Sequence, residues 1–209
     1  MTKENQNLIT VPSDFKEACS NCKITMQFAL QIFIDCCTLF HALKPGYSCL
    51  FSEALETIFR YLDTKRPGTN VITDNSKETQ DHLLAILKIV VEKRAYETLA
   101  QKEVAKHVDG LLKSTAGRYY PSSRKLFLDA ETPLKLTKDF CAMCQLYECY
   151  PAEILNYYMG MISLADVEFR GDVNIIKAEN HSMFFFMNTM HNFVQRRREL
   201  LKLTAEEAE

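Results

Sequence analysis

The stretch from Phe15 to Leu43 (FKEACSNCKITMQFALQIFIDCCTLFHAL) constrains the fold more than any other part of the chain. Wound as a helix, it lines Lys16, Ser20, Lys23, Gln27, Gln31, Asp35, Thr38 and His41 along one narrow polar stripe. Phe15, Cys19, Cys22, Met26, Phe28, Leu30, Phe33, Cys36, Cys37, Phe40 and Leu43 take much of the remaining surface. An apolar arc of about two-thirds of the circumference is wider than the stripe of a surface helix. It needs cover from several sides, so the stretch reads as the central helix of a bundle. Ile24 to Leu43 is also long enough for a membrane span, which takes about 20 apolar residues. But Gln27, Gln31 and Asp35 recur every four residues on one face, as in a helix that meets water. No membrane span is expected.

The rest of the chain supports the same class. Of 209 residues, 47% are hydrophobic and 13 are Phe, which is ample for a core. Gly and Pro number six each, so long periodic segments run with few breaks. The expected fold is an all-α, single-domain bundle of about six to eight helices around residues 15–43. Residues 1–12 read as a flexible lead, 13–203 as the helical domain and 204–209 as a flexible tail. Further helices are expected near 49–62, from Lys77 onward, 137–148, from Pro151 to about Ser163, and 181–203. Asn75 with Glu78 resembles a capping box, and the helix from Lys77 should break between Leu99 and Gly110. Residues 63–76 read as a loop, and a small extended piece is expected near 118–128 from Arg118-Tyr119-Tyr120 and Lys125-Leu126-Phe127-Leu128.

The first residues lack a basic run followed by an apolar core, so they do not read as a signal peptide. A cytoplasmic location is expected, with the eight cysteines as reduced thiols. Cys19-x-x-Cys22 and Cys141-x-x-Cys144, with Cys149 nearby, could in principle offer four thiolates to zinc. Their separation exceeds any finger or ribbon spacing, and both pairs fall on apolar helix faces. Packing as small hydrophobes is the simpler reading. No metal site and no cofactor are expected.

No His-Glu-x-x-His pair, phosphate-binding glycine loop or Gly-x-Ser-x-Gly occurs. No catalytic residue and no small-molecule ligand are assigned. The function expected is a non-enzymatic intracellular regulatory or protein-interaction module, with a protein partner or self-association.

The alternative is a DNA-binding transcriptional regulator using residues 101–125. The formal net charge is −2, so such binding must come from a local patch. Lys102, Lys106, Lys113, Arg118, Arg124 and Lys125 outnumber Glu103 and Asp109 there, and Tyr119 could stack or contact phosphate. Gln101 to Val108 has the small and apolar positions of the first helix of a helix-turn-helix. Met143 to Met159 has a similar spacing, but its outer face lacks cations and packing as an αα-hairpin explains it better. Arg196 to Arg198 sit where cations offset a helix dipole. Met183 to Met187 should be buried, or else form half of a dimer interface.

Overall fold

A computed structural model describes residues 9–44, 50–65, 76–93, 97–114, 119, 124–129, 131–163 and 180–189. Among these residues it is mostly helical, with nine helices and one small antiparallel hairpin. The helices are α1 (Ser13–Asn21), α2 (Met26–Cys36), α3 (Leu39–Leu43), α4 (Leu50–Lys65), α5 (Lys77–Glu92), α6 (Glu97–Ser114), α7 (Lys138–Leu146), α8 (Pro151–Gly160) and α9 (residues 181–189). The strands are β1 (Lys125–Phe127) and β2 (Pro133–Lys135). No described helix is long and apolar enough to cross a membrane.

The expected central helix is central but not continuous. Residues 15–43 form α1, α2 and α3 in succession. Lys23 adopts a left-handed φ of 55°, and Thr25 then caps α2 by accepting a hydrogen bond from the Phe28 amide. Thr38 repeats the device at α3, accepting from the His41 amide. A threonine cap contributes about 1 kcal/mol, and each satisfies an amide that an uninterrupted helix would pair in its own ladder. The apolar period survives the breaks because the three pieces bury one common face. Phe15, Cys19, Leu30, Phe33, Ile34, Cys37, Leu39 and Phe40 are all buried.

At the centre of the core, Phe33 stacks on Tyr158 with ring centroids 4.3 Å apart. Phe15 and Phe185 meet Tyr158 edge-on, at 6.1 and 5.9 Å, and Phe186 meets Phe15 at 6.0 Å. This cluster joins α1, α2, α8 and α9. The Met183–Met187 run therefore packs inward: Met183, Phe185 and Phe186 are fully buried. The N-terminal lead is docked over its last residues. Ile9 is buried, and the Thr10 amide donates to Asn156 Oδ1 at 2.9 Å.

Boundaries moved elsewhere for local reasons. Ser76, not Asn75, caps α5, accepting from the Thr79 amide; Asn75 lies outside the described residues. The break expected between Leu99 and Gly110 comes earlier, since α5 ends at Glu92 and α6 runs unbroken through Gly110 to Ser114. Gly110 is a packing residue there. Helices α5 and α6 run antiparallel, with Lys93 paired to Glu103 near one end and His82 against His107 at 3.3 Å near the other. A Cβ on Gly110 would overlap the His82 ring. Gln101 to Val108, which the alternative reading takes as the first helix of a helix-turn-helix, lies inside α6, which continues without a turn to Ser114.

The extended piece is a hairpin that pairs Lys125–Phe127 with Pro133–Lys135; Arg118 and Tyr120 lie outside the described residues. Lys125 lies opposite Lys135, Leu126 opposite Leu134, and Phe127 opposite Pro133. Leu126 and Leu134 point inward and are buried. Asp129 shapes the turn, its carboxylate accepting from the amides of Glu131 and Thr132 at 2.9 and 2.8 Å. Helices α7 and α8 form the expected αα-hairpin, with Cys144, Cys149 and Ile154 buried and Pro151 opening α8.

Candidate functional site

Two surface features stand apart from the packed body. The first is the outer face of α5. The sequence fills this helix with apolar residues, more than one buried face can use. Ile86 and Val90 are buried, whereas Leu84, Leu87 and Val91 are 64%, 41% and 54% exposed. They sit three and four apart, on one line along the helix. Asp81 and Lys88 flank the line one turn to either side of Leu84. Among the described residues Lys88 makes only a long 3.9 Å contact to Glu92, with both side chains mostly exposed.

The second is a groove where the open end of the hairpin meets α2 and the start of α7. It has a volume of about 620 Å³ and is lined by Gln27, Gln31, Arg124, Lys125, Lys135 and Lys138, with Pro133, Leu134, Leu136 and Thr137 between them. The hairpin is positioned from α2. Gln31 Nε2 donates to the Lys135 carbonyl and Gln31 Oε1 accepts from the Lys135 amide, each at 2.9 Å. Gln27 Nε2 donates to the Pro133 carbonyl at 2.8 Å. At the other strand, Arg124 holds a left-handed φ of 49°, and its carbonyl accepts from the Leu136 amide at 2.9 Å. Thr137 caps α7 beside the groove, accepting from the Phe140 amide.

The sequence-predicted residues divide between the groove, α6 and the packed body. Arg124 and Lys125 line the groove. Lys102, Lys106 and Lys113 are exposed on one face of α6, with no ion-pair partner among the described residues. Asp109 shares that face and pairs with Lys138 of the groove. Tyr119 is half-buried; its amide donates to Gln145 Oε1 at 3.3 Å and its ring packs on Tyr150 at 5.3 Å. That side chain is committed to packing. Arg118 and Arg196–Arg198 lie outside the described residues. Sequence reasoning missed Lys135 and Lys138, because the strand that gathers them has no periodic signature of its own, and Phe127 falls in the expected extended piece with nothing in the sequence to mark it as exposed.

The cysteines are packing residues in the described structure. Burial pushes the Cys19 thiol up to about 12, with neighbouring Cys22 adding to the effect. Burial likewise raises Cys141 to about 11. Cys144 is raised well above the ordinary range, by burial first and by its thiol neighbour Cys149 next. Such thiols are protonated at neutral pH, which is the unreactive form. Among the described residues no group of three or more His, Cys, Asp or Glu side chains is placed to hold a metal ion.

No family model, no curated protein and no solved structure matches the chain.

Proposed function

We propose that the protein is a non-enzymatic interaction module that associates with a second copy of itself through the outer face of α5. The observation that carries this reading is the exposed line of Leu84, Leu87 and Val91. Contiguous large aliphatic side chains cost free energy in water and recur where another surface covers them. The charges beside the line favour a second copy as the cover. Two α5 helices packed antiparallel about a twofold axis bring Leu84 of each against Leu87 of the other. That register sets Asp81 of each copy beside Lys88 of the other, twice by symmetry. A parallel arrangement would set like charges together.

The 16-residue helix is about 24 Å long. Its stripe alone is smaller than a standard interface of about 800 Å² per partner. A reversible association in the micromolar range is expected, not an obligate dimer. Sedimentation equilibrium from about 1 to 100 µM tests it: the native chain should show a monomer–dimer equilibrium, and Leu84→Glu should be monomeric throughout. Leu84 is exposed, so the variant should keep its fold, and circular dichroism checks that. A native chain that stays monomeric over the whole range would remove the reading.

Nucleic-acid binding through residues 101–125 is the second reading. The observation favouring it is that Lys102, Lys106 and Lys113 share an exposed face of α6 beside a groove that already holds Arg124 and Lys125.

A further inference from the structure

We infer that the groove between the β1–β2 hairpin, α2 and the start of α7 binds the phosphodiester backbone of single-stranded nucleic acid, with a base stacked on Phe127. This rests on the second reading above and moves its centre from α6 to the hairpin.

The charge arrangement comes first. Lys125 and Lys135 are Cα partners across the hairpin, both on its exposed face. Like charges directly opposite one another disfavour strand pairing. Arg124 and Lys138 line the same groove. Arg124 and Lys135 have no ion-pair partner among the described residues. Among the described residues, Asp109 is engaged by Lys138, and Asp35 lies beyond Gln31, accepting its side-chain amide at 2.9 Å. A ligand carrying several negative charges would relieve the crowding of cations.

The shape and the aromatic residue narrow the class. Phe127 is 51% exposed, two residues from Lys125 on the same strand face, and opposite Pro133 at the groove edge. A cationic track with an adjacent exposed aromatic is the arrangement that holds single strands, where unpaired bases stack and lysines follow the backbone. The track also continues. The Lys138–Asp109 pair joins the groove to the α6 face, where Lys102 to Lys113 extends over about 16 Å. That length suits a chain of phosphates better than a single anion. A base paired in a duplex could not reach the Phe127 ring without leaving its stack.

The test is fluorescence anisotropy with a labelled 12-nucleotide oligothymidylate at low salt, on the full chain. The expected result is saturable binding that weakens as salt rises, with a logarithmic slope of about −0.7 for each phosphate neutralised. Lys125→Glu with Lys135→Glu should weaken binding at least about tenfold by removing two such contacts and adding repulsion. Phe127→Ala should weaken it about fivefold or more, while Lys135→Gln should have a smaller effect than the double reversal. All three positions are exposed, and a thermal melt verifies the fold of each variant. Binding that survives the hairpin variants but is lost in Lys102→Glu with Lys106→Glu would overturn this inference and keep the second reading. Equal competition by duplex of the same length, or by heparin, would overturn the single-strand assignment. No binding of any nucleic acid at low salt would remove both.

Discussion

Gln31 pairs with Lys135 as though it were a strand: its side-chain amide donates to the Lys135 carbonyl and accepts from the Lys135 amide, each at 2.9 Å. A polar residue on α2 thus satisfies the outer edge of β2, a strand of three residues that could not persist on its own ladder. Gln31→Ala removes both bonds and should cost about 1–3 kcal/mol. The measurement is amide hydrogen exchange, in which the Lys135 amide should become fast while the core amides of α2 stay protected. An unchanged rate at Lys135 would show that the hairpin is held by Leu126 and Leu134 alone.

Tyr158 presents the opposite situation. Its ring is the centre of the aromatic cluster, but its hydroxyl is buried with no hydrogen-bond partner among the described residues, and burial with the neighbouring Cys19, Cys36 and Cys37 thiols pushes its pKa far up. A buried unpaired hydroxyl costs about 1–3 kcal/mol. Tyr158→Phe keeps the ring stacked on Phe33 and removes the unpaired group. The urea midpoint should rise, by about 1 kcal/mol of stability. A fall would mean that the hydroxyl has a partner in solution.

The stability contributed by Gly110 depends on its neighbour. In a helix interior, Gly→Ala ordinarily stabilises by about 1 kcal/mol. Here the added methyl would collide with the His82 ring and push it from His107. Gly110→Ala should therefore destabilise by about 1–3 kcal/mol, as overpacking does. In a His82→Ala background the same substitution should stabilise. A double-mutant cycle by chemical denaturation reads this reversal of sign, and additivity would contradict it.

His41 gives the fold an acid sensitivity above the carboxylate range. Its ring stacks on Phe51 at 3.7 Å, its Nδ1 lies 2.7 Å from Thr38 Oγ1, and its Nε2 lies 3.4 Å from Glu97. Burial lowers its pKa below the ordinary 6.5, against an opposing pull from Glu97. A lowered value in the folded state means that the fold favours the neutral ring. The stability this gives is present above pH 6.5 and is lost as pH falls through the folded value. The urea midpoint should drop between about pH 7.5 and 5.5, and His41→Gln should flatten part of that drop. Equal drops in the two proteins would assign the effect to other groups.

The helical class was legible because the apolar period of α4, α7 and α8 is local information. The breaks inside 15–43 were not: Thr38 sits on the polar stripe and reads equally well as helix surface or cap, and a single Thr25 on the apolar side does not interrupt the period. β2 was hidden for a different reason. Pro133-Leu134-Lys135 becomes a strand through Gln27 and Gln31, more than 100 residues away. The groove was half legible for the same cause: Arg124 and Lys125 are visible in sequence, while Lys135 and Lys138 join them only through the hairpin. The apolar excess of α5 was visible, but its natural reading was burial. Only the fold places Leu84, Leu87 and Val91 on the outside.

Self-association through α5 is tested most directly by exchanging the charges that set its register. Asp81→Lys and Lys88→Asp should each weaken dimerisation in sedimentation equilibrium by about fivefold or more, since each sets like charges together twice. The doubly exchanged protein restores opposite charges across the twofold axis and should dimerise within about twofold of the native chain. A double variant no better than either single one would contradict the antiparallel α5 pairing.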